Sequence, residues 1–314
     1  MIFGLSKKGP VAEHEAVDEI ERVYHEIKRS LRVSGVNLNF RTWAAHDHFL
    51  PTAWDALRSN VETVGFERAA DELRSQAAGS AKKLGRLQVQ ENVKLGESQT
   101  FQIRQALDLY HYINPKLLIL TSAVRLAMNR ERIGSPRSGA QPQVDFGAPS
   151  HMAAMEMESD EPDDPVLQQI YEDIKATLNL PSVNSDYRTL ALWPDYLSAA
   201  WQRLKAVVTS SAYKEATDAL RETSRRLARN LPFDIDLSPE VLEAANVDFD
   251  KVRDVTDKFE QLLPGLIINI ALLEGDWMQG AELAASPFPL AARDATHGGE
   301  LYEGKHPNPT GGSL

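Results

Sequence analysis

The sequence contains an internal repeat. When it is shifted by 147 positions, Tyr24–Arg74 aligns with Tyr171–Arg221 without a gap, and 18 of the 51 aligned positions are identical. A duplicated unit predicts a pseudo-twofold molecule with a groove between its halves. Groups that differ between the copies then mark where function departs from symmetry. The clearest difference is Asn39 against Asp186, an amide in one copy and an ionisable carboxylate in the other.

Helical patterns dominate both copies. Apolar residues recur at helical spacing over His14–Val33 and again over Leu167–Leu180, and longer helical patterns cover Phe101–Met128 and Phe249–Leu273. Each long pattern contains a proline, and signals for β-strands are few. We therefore expect an all-α fold made of two homologous helical repeats, related by a pseudo-twofold axis and joined by a linker rich in Pro and Gly.

Composition along the chain predicts where the repeats begin and end. The expected divisions are a first helical repeat at 13–130, a linker at 131–165, a second helical repeat at 166–289 and a disordered tail at 290–314. The linker combines Gly, Pro and Ser with the acidic run Glu158–Asp164, which lacks the spacing and glycine of an EF-hand and is expected to be a solvated charge run. The tail is rich in Gly, Pro and His.

Composition also limits the partners and the chemistry. The net charge is −11, which argues against nucleic acid or an acidic membrane surface as a partner. The chain has no cysteine, which excludes thiol nucleophiles and thiolate metal sites. No P-loop, dinucleotide fingerprint, HExxH or EF-hand motif is present, so we expect neither a cofactor nor a metal. No run approaches 18 apolar residues, and a cytoplasmic location is expected.

Asp186 lies just ahead of an apolar helical pattern, in the segment Val183–Arg188. Ser or Asp at this place is a good helix N-cap, so one interpretation is that Asp186 only caps a helix. The other copy uses Asn39, an equally good cap, so capping does not require the charge. The flanking apolar residues indicate partial burial, where an unpaired carboxylate is costly. Asp186 is therefore also a candidate catalytic carboxylate.

Asn114 directly precedes Pro115 in the first long helical pattern. A proline inside a helix leaves one carbonyl of the preceding turn without its usual partner, so Asn114 can be interpreted as support for a kink. The second copy keeps the proline, Pro264, but has Leu263 in place of Asn114. The kink persists there without an amide, so Asn114 needs a separate reason. If the two halves face one another, Asn114 and Asp186 could meet at one site in the groove.

Other polar groups carry weaker signals. Arg41 and Arg188 recur in both copies, which favours a scaffold role and leaves contact with an anion as the alternative. His46 and His48 are two residues apart, and on a helix this spacing points them to different faces, which argues against a shared metal.

Three short blocks carry a resemblance to a known family. They are Ser185–Pro194, Tyr112–Lys116 and Gly280–Pro289, and they occur in the family's order. On these blocks the chain resembles the group I 2-haloacid dehalogenases, the cofactor-independent class that acts on both D- and L-2-haloacids. The resemblance covers most of residues 15–289. It implies two helical repeats with the active site between them, and it implies a homodimer.

The resemblance also implies roles for particular residues. An aspartate at the position of Asp186 acts in the family as base for a water molecule, and an asparagine at the position of Asn114 helps to hold that water. Ser185, Gly35 and Leu38 fall at positions that line the family's substrate pocket. Members of the family carry aromatic residues at the last two positions, so pocket volume and substrate size are expected to differ here.

These expectations combine into a mechanistic hypothesis. Asp186 accepts a proton from water, and that water displaces the halide at C2 of a small 2-haloacid with inversion. Helix N-termini near Asn39, Ser185 and the adjoining Tyr187, aided by Arg188, are the expected contacts for the substrate. One rival is that Asp186 is the nucleophile and forms an ester. Another is a non-catalytic helical module that binds small carboxylates or protein partners in the groove.

Overall fold

The computed structural model describes residues 9–134 and 139–290, and these residues form an all-helical fold. The α-helices are α1 (Asp18–Leu31), α2 (Leu38–Ala44), α3 (Phe49–Val61), α4 (Val64–Leu84), α5 (Glu97–Met128), α6 (Pro165–Leu178), α7 (Ser185–Leu190), α8 (Pro194–Val208), α9 (Ser211–Arg229), α10 (Pro239–Ala244), α11 (Phe249–Glu274) and α12 (Ala281–Ala284). Two short 3₁₀ helices cover Glu13–Glu15 and Val89–Glu91. Within the described ranges, β structure is limited to one isolated antiparallel bridge between Thr63 and Gln143. The all-α prediction is confirmed.

The two long helices α5 and α11 form the centre of the molecule. They share the most extensive contact of any helix pair, and α4 and α9 pack against both of them. From Leu109 to Val124 every residue of α5 is buried, so this part of the helix has no solvent face and lies in the core. Pro115 and Pro264 lie inside α5 and α11 without ending either helix.

Helices α6, α7, α8, α9 and α11 correspond in position to α1, α2, α3, α4 and α5, whereas α10 and α12 have no α-helical counterpart among the described residues of the first half. Matched contacts occur at positions 147 apart: the Trp54 indole donates to Glu26 over 3.0 Å, and the Trp201 indole donates to Asp173 over 2.7 Å. These contacts are what a duplicated unit would give. The pseudo-twofold axis and the boundaries of the two repeats stay predictions.

The described residues between α5 and α6 contain no helix, and part of this connection runs past the α1–α2 loop and α7. Ser34 of that loop donates to the main-chain oxygen of Ala153 over 2.7 Å, and Thr189 donates to that of Glu156 over 2.8 Å. The connection therefore links the α1–α2 loop to α7. All but the first residue of the tail expected at 290–314 lies outside the described residues.

Candidate active site

Asn114 and Asp186 are in direct contact. The Asn114 Nδ2 donates to Asp186 Oδ1 over 2.7 Å, and both side chains are buried. Asn114 lies on α5 directly before the proline, and Asp186 is the second residue of α7, which begins after the N-cap Asn184. The expectation that an acid from the later copy and an amide from the earlier copy converge is confirmed by this bond. Their catalytic roles stay predictions at this point.

The contact borders a small cavity of about 30 Å³, which is large enough for water. Its lining residues come from α2, α5, α7 and α11 together with the N-caps of the two short helices. They are Asn37, Leu38, Asn39, Tyr110, Asn114, Leu117, Asn184, Ser185, Asp186, Phe259, Leu262, Leu263 and Leu266. Asp186 is the only ionisable carboxylate among them, and no Lys, Arg or His lines this cavity.

Nearly all the lining residues fall into pairs related by the internal repeat. A shift of 147 relates Asn37 to Asn184, Leu38 to Ser185 and Asn39 to Asp186, and a shift of 149 relates Tyr110 to Phe259, Asn114 to Leu263 and Leu117 to Leu266. Equivalent positions of the two copies thus border the same cavity. The first copy contributes the amide of Asn114 where the second contributes an alkyl group, and the second contributes the carboxylate.

Burial raises the pKa of Asp186 to about 6, above its usual 3.8. Removal from water disfavours the ionised form, and this is the largest effect on the group. Hydrogen bonds from Asn114 and from the main-chain N–H of Asp186 itself act in the opposite direction and lower the pKa. The balance leaves a carboxylate that is ionised at neutral pH and more basic than an exposed aspartate, as a general base requires.

Asn39 lines the cavity with both polar atoms of its side chain buried and without a hydrogen-bond partner in the described structure. Its repeat counterpart, Asp186, faces the amide of Asn114, and the counterpart of that amide is Leu263, which offers no hydrogen bond. A buried amide without partners costs free energy that a bound polar group would recover. Asn39 is therefore a candidate contact for substrate.

The structure brings five of the eight predicted site residues to the cavity and places three elsewhere. Leu38 and Ser185 line the cavity together with the three residues already described. Gly35 is not part of the lining, and a Cβ at this position would lie 3.3 Å from the Cβ of Met155. The Tyr187 hydroxyl accepts from Asn269 over 2.8 Å, and Arg188 Nε donates to the main-chain oxygen of Glu158 over 2.9 Å.

Helix geometry explains the two displaced residues of α7. Successive residues of an α-helix point about 100° apart, so Tyr187 and Arg188 face away from the side that carries Asp186. Tyr187 packs edge-on against Trp201 with ring centroids 5.9 Å apart. Arg188 matches Arg41, whose Nε donates to the main-chain oxygen of Val11, 147 positions before Glu158. These contacts agree with the scaffold interpretation of the two arginines.

The sequence analysis did not single out the apolar wall of the cavity or Tyr110. Tyr110 precedes Asn114 by four residues, which places both on one face of α5. Phe259, Leu263 and Leu266 follow from the shift of 149 that already relates the two prolines. Combining helical spacing with the repeat offset could have found them.

A larger groove of about 660 Å³ lies between α4, α11 and α12. Its lining consists mainly of small and apolar residues, with Lys82 and Arg86 as the charged members. It offers no carboxylate that could act as a base, so the chemistry points to the smaller cavity. In the described ranges no group of three or more His, Asp or Glu side chains is arranged to hold a metal ion. None of the helices described combines the length and apolar character that crossing a membrane needs.

Comparison with known proteins assigns the chain to a family. The family model described as halocarboxylic acid dehydrogenase DehI matches residues 34–187, which include both Asn114 and Asp186. An (R)-2-haloacid dehalogenase of Pseudomonas putida is 30% identical over 83% of this chain and 90% of its own length. A configuration-inverting 2-haloacid dehalogenase of Pseudomonas sp. (strain 113) is 30% identical over 70% of this chain and 74% of its own length. The chain belongs to the DehI-like family of 2-haloacid dehalogenases.

Solved structures of the same class share the fold. A D-2-haloacid dehalogenase mutant superimposes with a TM-score of 0.79 at 26% identity, covering 85% of this chain and 94% of the other. A complex of such a mutant with D-2-CPA gives a TM-score of 0.78 at 26% identity, covering 86% of this chain and 95% of the other. The helical arrangement described above is therefore that of a D-2-haloacid dehalogenase.

Proposed function

We propose that the chain hydrolyses short 2-haloalkanoic acids to 2-hydroxy acids with inversion at C2, using water that Asp186 activates and Asn114 positions. The observation that carries the proposal is the buried hydrogen bond between these two residues beside a cavity of water size. As a member of its family the chain is a hydrolase that acts on carbon–halide bonds. The residue roles and the substrate range are the finer parts of the proposal.

Both side chains of the Asn114–Asp186 pair have a role in this reaction. The Asn114 amide has two N–H donors, one of which goes to Asp186, and the second can donate to the water oxygen. The ionised carboxylate accepts a proton as the water oxygen bonds to C2, and the carbon–halogen bond breaks with its electron pair going to the halide. The products are a 2-hydroxy acid, a halide ion and a proton, which Asp186 then releases. General base assistance of this kind contributes roughly 10²–10⁴-fold.

Neutral donors hold the substrate carboxylate in this proposal. No cationic side chain lines the cavity, whereas the Asn39 amide is buried there without partners and Ser185 presents a hydroxyl. A carboxylate that accepts hydrogen bonds from an amide is stabilised without a paired cation. The apolar wall of Phe259, Leu263 and Leu266 suits the alkyl chain and halogen.

The duplicated architecture is part of the proposal. The two repeats, 13–130 and 166–289, face each other across the cavity, and their pseudo-twofold relation is supported by the paired lining positions. The two halves then differ at one pair of equivalent positions, where the first has the amide of Asn39 and the second has the carboxylate of Asp186. A cytoplasmic homodimer is the expected form of the enzyme.

The decisive experiment compares halide release by the wild type and Asp186→Asn on resolved 2-chloropropionate and 2-bromopropionate. We expect the variant to lose at least about 10²-fold in kcat, because it lacks the base. Asp195→Asn is the matched control, since Asp195 is also the second residue of its helix but is exposed and remote from the cavity. Full activity in Asp186→Asn would refute the catalytic carboxylate, and ligand binding without any halide release would favour a binding module.

A single-turnover reaction in ¹⁸O-labelled water separates direct water attack from an ester on Asp186. Direct attack places the label in the first-turnover product and leaves the carboxylate unlabelled. Unlabelled oxygen in that product, or label found in Asp186, would establish the nucleophilic route instead.

A further inference from the structure

A second side-chain hydrogen bond joins α5 to α7 beside the Asn114–Asp186 pair. The Tyr110 hydroxyl and Thr189 Oγ1 are 2.7 Å apart, and both residues are buried. Tyr110 precedes Asn114 by four residues on α5, and Thr189 follows Asp186 by three residues on α7. At these spacings the side chains share a helix face. The two hydrogen bonds therefore lie about one helical turn apart in the same helix–helix contact.

The direction of this second bond is fixed by counting hydrogens. Thr189 Oγ1 donates to the main-chain oxygen of Glu156 over 2.8 Å. A threonine hydroxyl has a single hydrogen, so in the bond with Tyr110 the tyrosine is the donor and Thr189 accepts. The resulting chain runs from Tyr110 through Thr189 to the backbone of the connecting segment. It holds α7 both to α5 and to the segment that precedes α6.

The repeat shows that the fold does not require this chain. The shift of 149 places Phe259 opposite Tyr110, so the second copy has the ring without the hydroxyl. The shift of 147 places Thr42 opposite Thr189, and Thr42 instead donates to Leu38 of its own helix over 2.7 Å. The hydrogen bond between these two hydroxyl groups therefore joins α5 to α7, the helix that carries Asp186. The equivalent helices, α11 and α2, pack together without such a bond.

We propose that Tyr110 and Thr189 are positioning residues that hold Asp186 against Asn114 during dehalogenation, an inference that rests on the proposed function. Asp186 is on a helix of only six residues, and the contacts of Tyr187 with Asn269 and of Arg188 with Glu158 lie on faces turned away from Asp186. On the face that carries Asp186, one hydrogen bond to α5 restrains the helix at a single point, whereas two bonds a turn apart also restrain its rotation there. Small displacements of a catalytic group cost up to about 10²-fold in rate.

The pKa of Asp186 supplies a readout that a purely structural role of Tyr110 and Thr189 would not change. The bond from Asn114 lowers the pKa of Asp186 against the effect of burial, so a looser contact with Asn114 raises that pKa. The other ionisable groups near it are Tyr110 and Tyr187, whose pKa values burial raises far above neutral, and Arg188, whose charge acts on Tyr110. Neither α2 nor α11 contributes a charged group to the cavity. The acid limb of the kcat profile therefore reports Asp186.

The test uses Tyr110→Phe and Thr189→Val in the full-length enzyme. Phe is what the chain itself carries at the equivalent position, and Val matches the shape of Thr without its hydroxyl. We expect kcat to fall about 10- to 100-fold with KM changed little, and the midpoint of the acid limb to move to higher pH. Thr189→Ser keeps the hydroxyl and is expected to restore both. Thr42→Val removes the equivalent hydroxyl of the other copy and serves as the matched control.

The double variant sharpens the result. If the two side chains act through one bond, Tyr110→Phe with Thr189→Val is no slower than the slower single variant. A Tyr110→Phe enzyme with wild-type kcat and an unchanged midpoint would overturn the proposal, as would an equal loss and shift in Thr42→Val. Failure of the proposed function is a separate outcome, seen as full activity in Asp186→Asn whatever the result at Tyr110.

Discussion

Arg74 donates from Nε to the main-chain oxygen of His111 over 3.0 Å. This carbonyl lies four residues before Pro115, which has no N–H to offer it. The guanidinium also donates from Nη2 to the main-chain oxygen of Tyr112 over 3.1 Å. The partner that proline removes from α5 is thus replaced by a fully buried side chain of α4. The contact lies next to the site, because Asn114 is the residue directly before the proline.

Replacing Arg74 with Met is expected to destabilise the protein by about 3 kcal/mol, because two buried carbonyls lose their donor. Equilibrium unfolding in urea measures the change. Arg221→Met is the matched control, since Arg221 is the repeat counterpart but its buried Nε has no partner in the described structure. We expect the control to cost clearly less. Equal losses in the two variants would show that the carbonyl contacts do not matter.

Activity is expected to depend on pH through Asp186. Because the base must be ionised and its pKa is about 6, kcat/KM should fall tenfold per pH unit well below pH 6 and level off above it. The substrate carboxyl group stays ionised over this range and adds no inflection. A pH series of halide release measures the midpoint. A midpoint near that of an exposed aspartate would contradict the role of burial.

Asn114→Leu gives the first copy the residue that the second copy has at Leu263. We expect kcat to fall roughly 10²-fold, because the water loses a donor and Asp186 loses a hydrogen bond. The lost bond also removes an effect that lowers the pKa of Asp186, so the acid limb should move above pH 6. Rates measured across pH separate the two effects. A lower rate without a shift would mean that Asn114 acts on the water alone.

Much of this site could be predicted from the sequence because duplication supplies its own comparison. Apolar periodicity gave α1, α5, α6 and α11 to within a few residues, and the differences Asn114 against Leu263 and Asn39 against Asp186 identified the cavity. Local patterns alone would not have done so. The all-α fold could be predicted because apolar residues recur at helical spacing throughout both copies.

What the sequence could not give depends on packing. α4 continues through Gly79 to Leu84 although glycine disfavours a helix, because buried alanines on either side of Gly79 pack in the contact of α4 with α11 and α12. Tyr187 adjoins Asp186 in sequence but points elsewhere on a helix. The hydrogen bond between Tyr110 and Thr189 joins residues 79 positions apart, and no local sequence pattern predicts it.

The Asp186 carboxylate is expected to reduce stability at neutral pH. Its folded-state pKa of about 6 lies above the 3.8 of an exposed aspartate, so stability is full below pH 3.8 and is lost as the pH rises through 6. A difference of about two pKa units corresponds to at most about 3 kcal/mol. Asp186→Asn should therefore be more stable than the wild type at pH 8 and equal at pH 3.5, as measured by urea unfolding.

The opposite substitution is the matched control for this stability effect. Asn39→Asp buries a second carboxylate at a position whose native side chain has no hydrogen-bond partner in the described structure, and should destabilise the protein at pH 8 more than at pH 4. If Asp186→Asn is no more stable than the wild type at pH 8, the carboxylate does not reduce stability in the way that its burial implies.

A second pair of acids lies away from the cavity, where Asp108 of α5 meets Glu274 at the end of α11. Burial raises the pKa of both carboxyl groups, and the neighbouring Asp108 raises the pKa of Glu274 further. Glu274 is therefore expected to keep its proton to a higher pH than an exposed glutamate does. Glu282 adds to the effect, and Arg104 opposes it.

The raised pKa of Glu274 predicts how stability depends on pH. Since the folded-state pKa of Glu274 lies above its ordinary 4.5, its contribution is complete below pH 4.5 and is lost progressively as the pH rises toward the raised value. Glu274→Gln keeps a donor for Asp108 and cannot ionise, so it should gain about 1–3 kcal/mol over the wild type at pH 9 and little at pH 4.5. Asp276→Asn is the control, because Asp276 accepts from the main-chain N–H groups of Gln88 and Val89 over 2.8 and 2.6 Å and should lose stability at both pH values. A Glu274→Gln protein that is destabilised equally at both pH values would show that ionisation of Glu274 does not govern stability in this range.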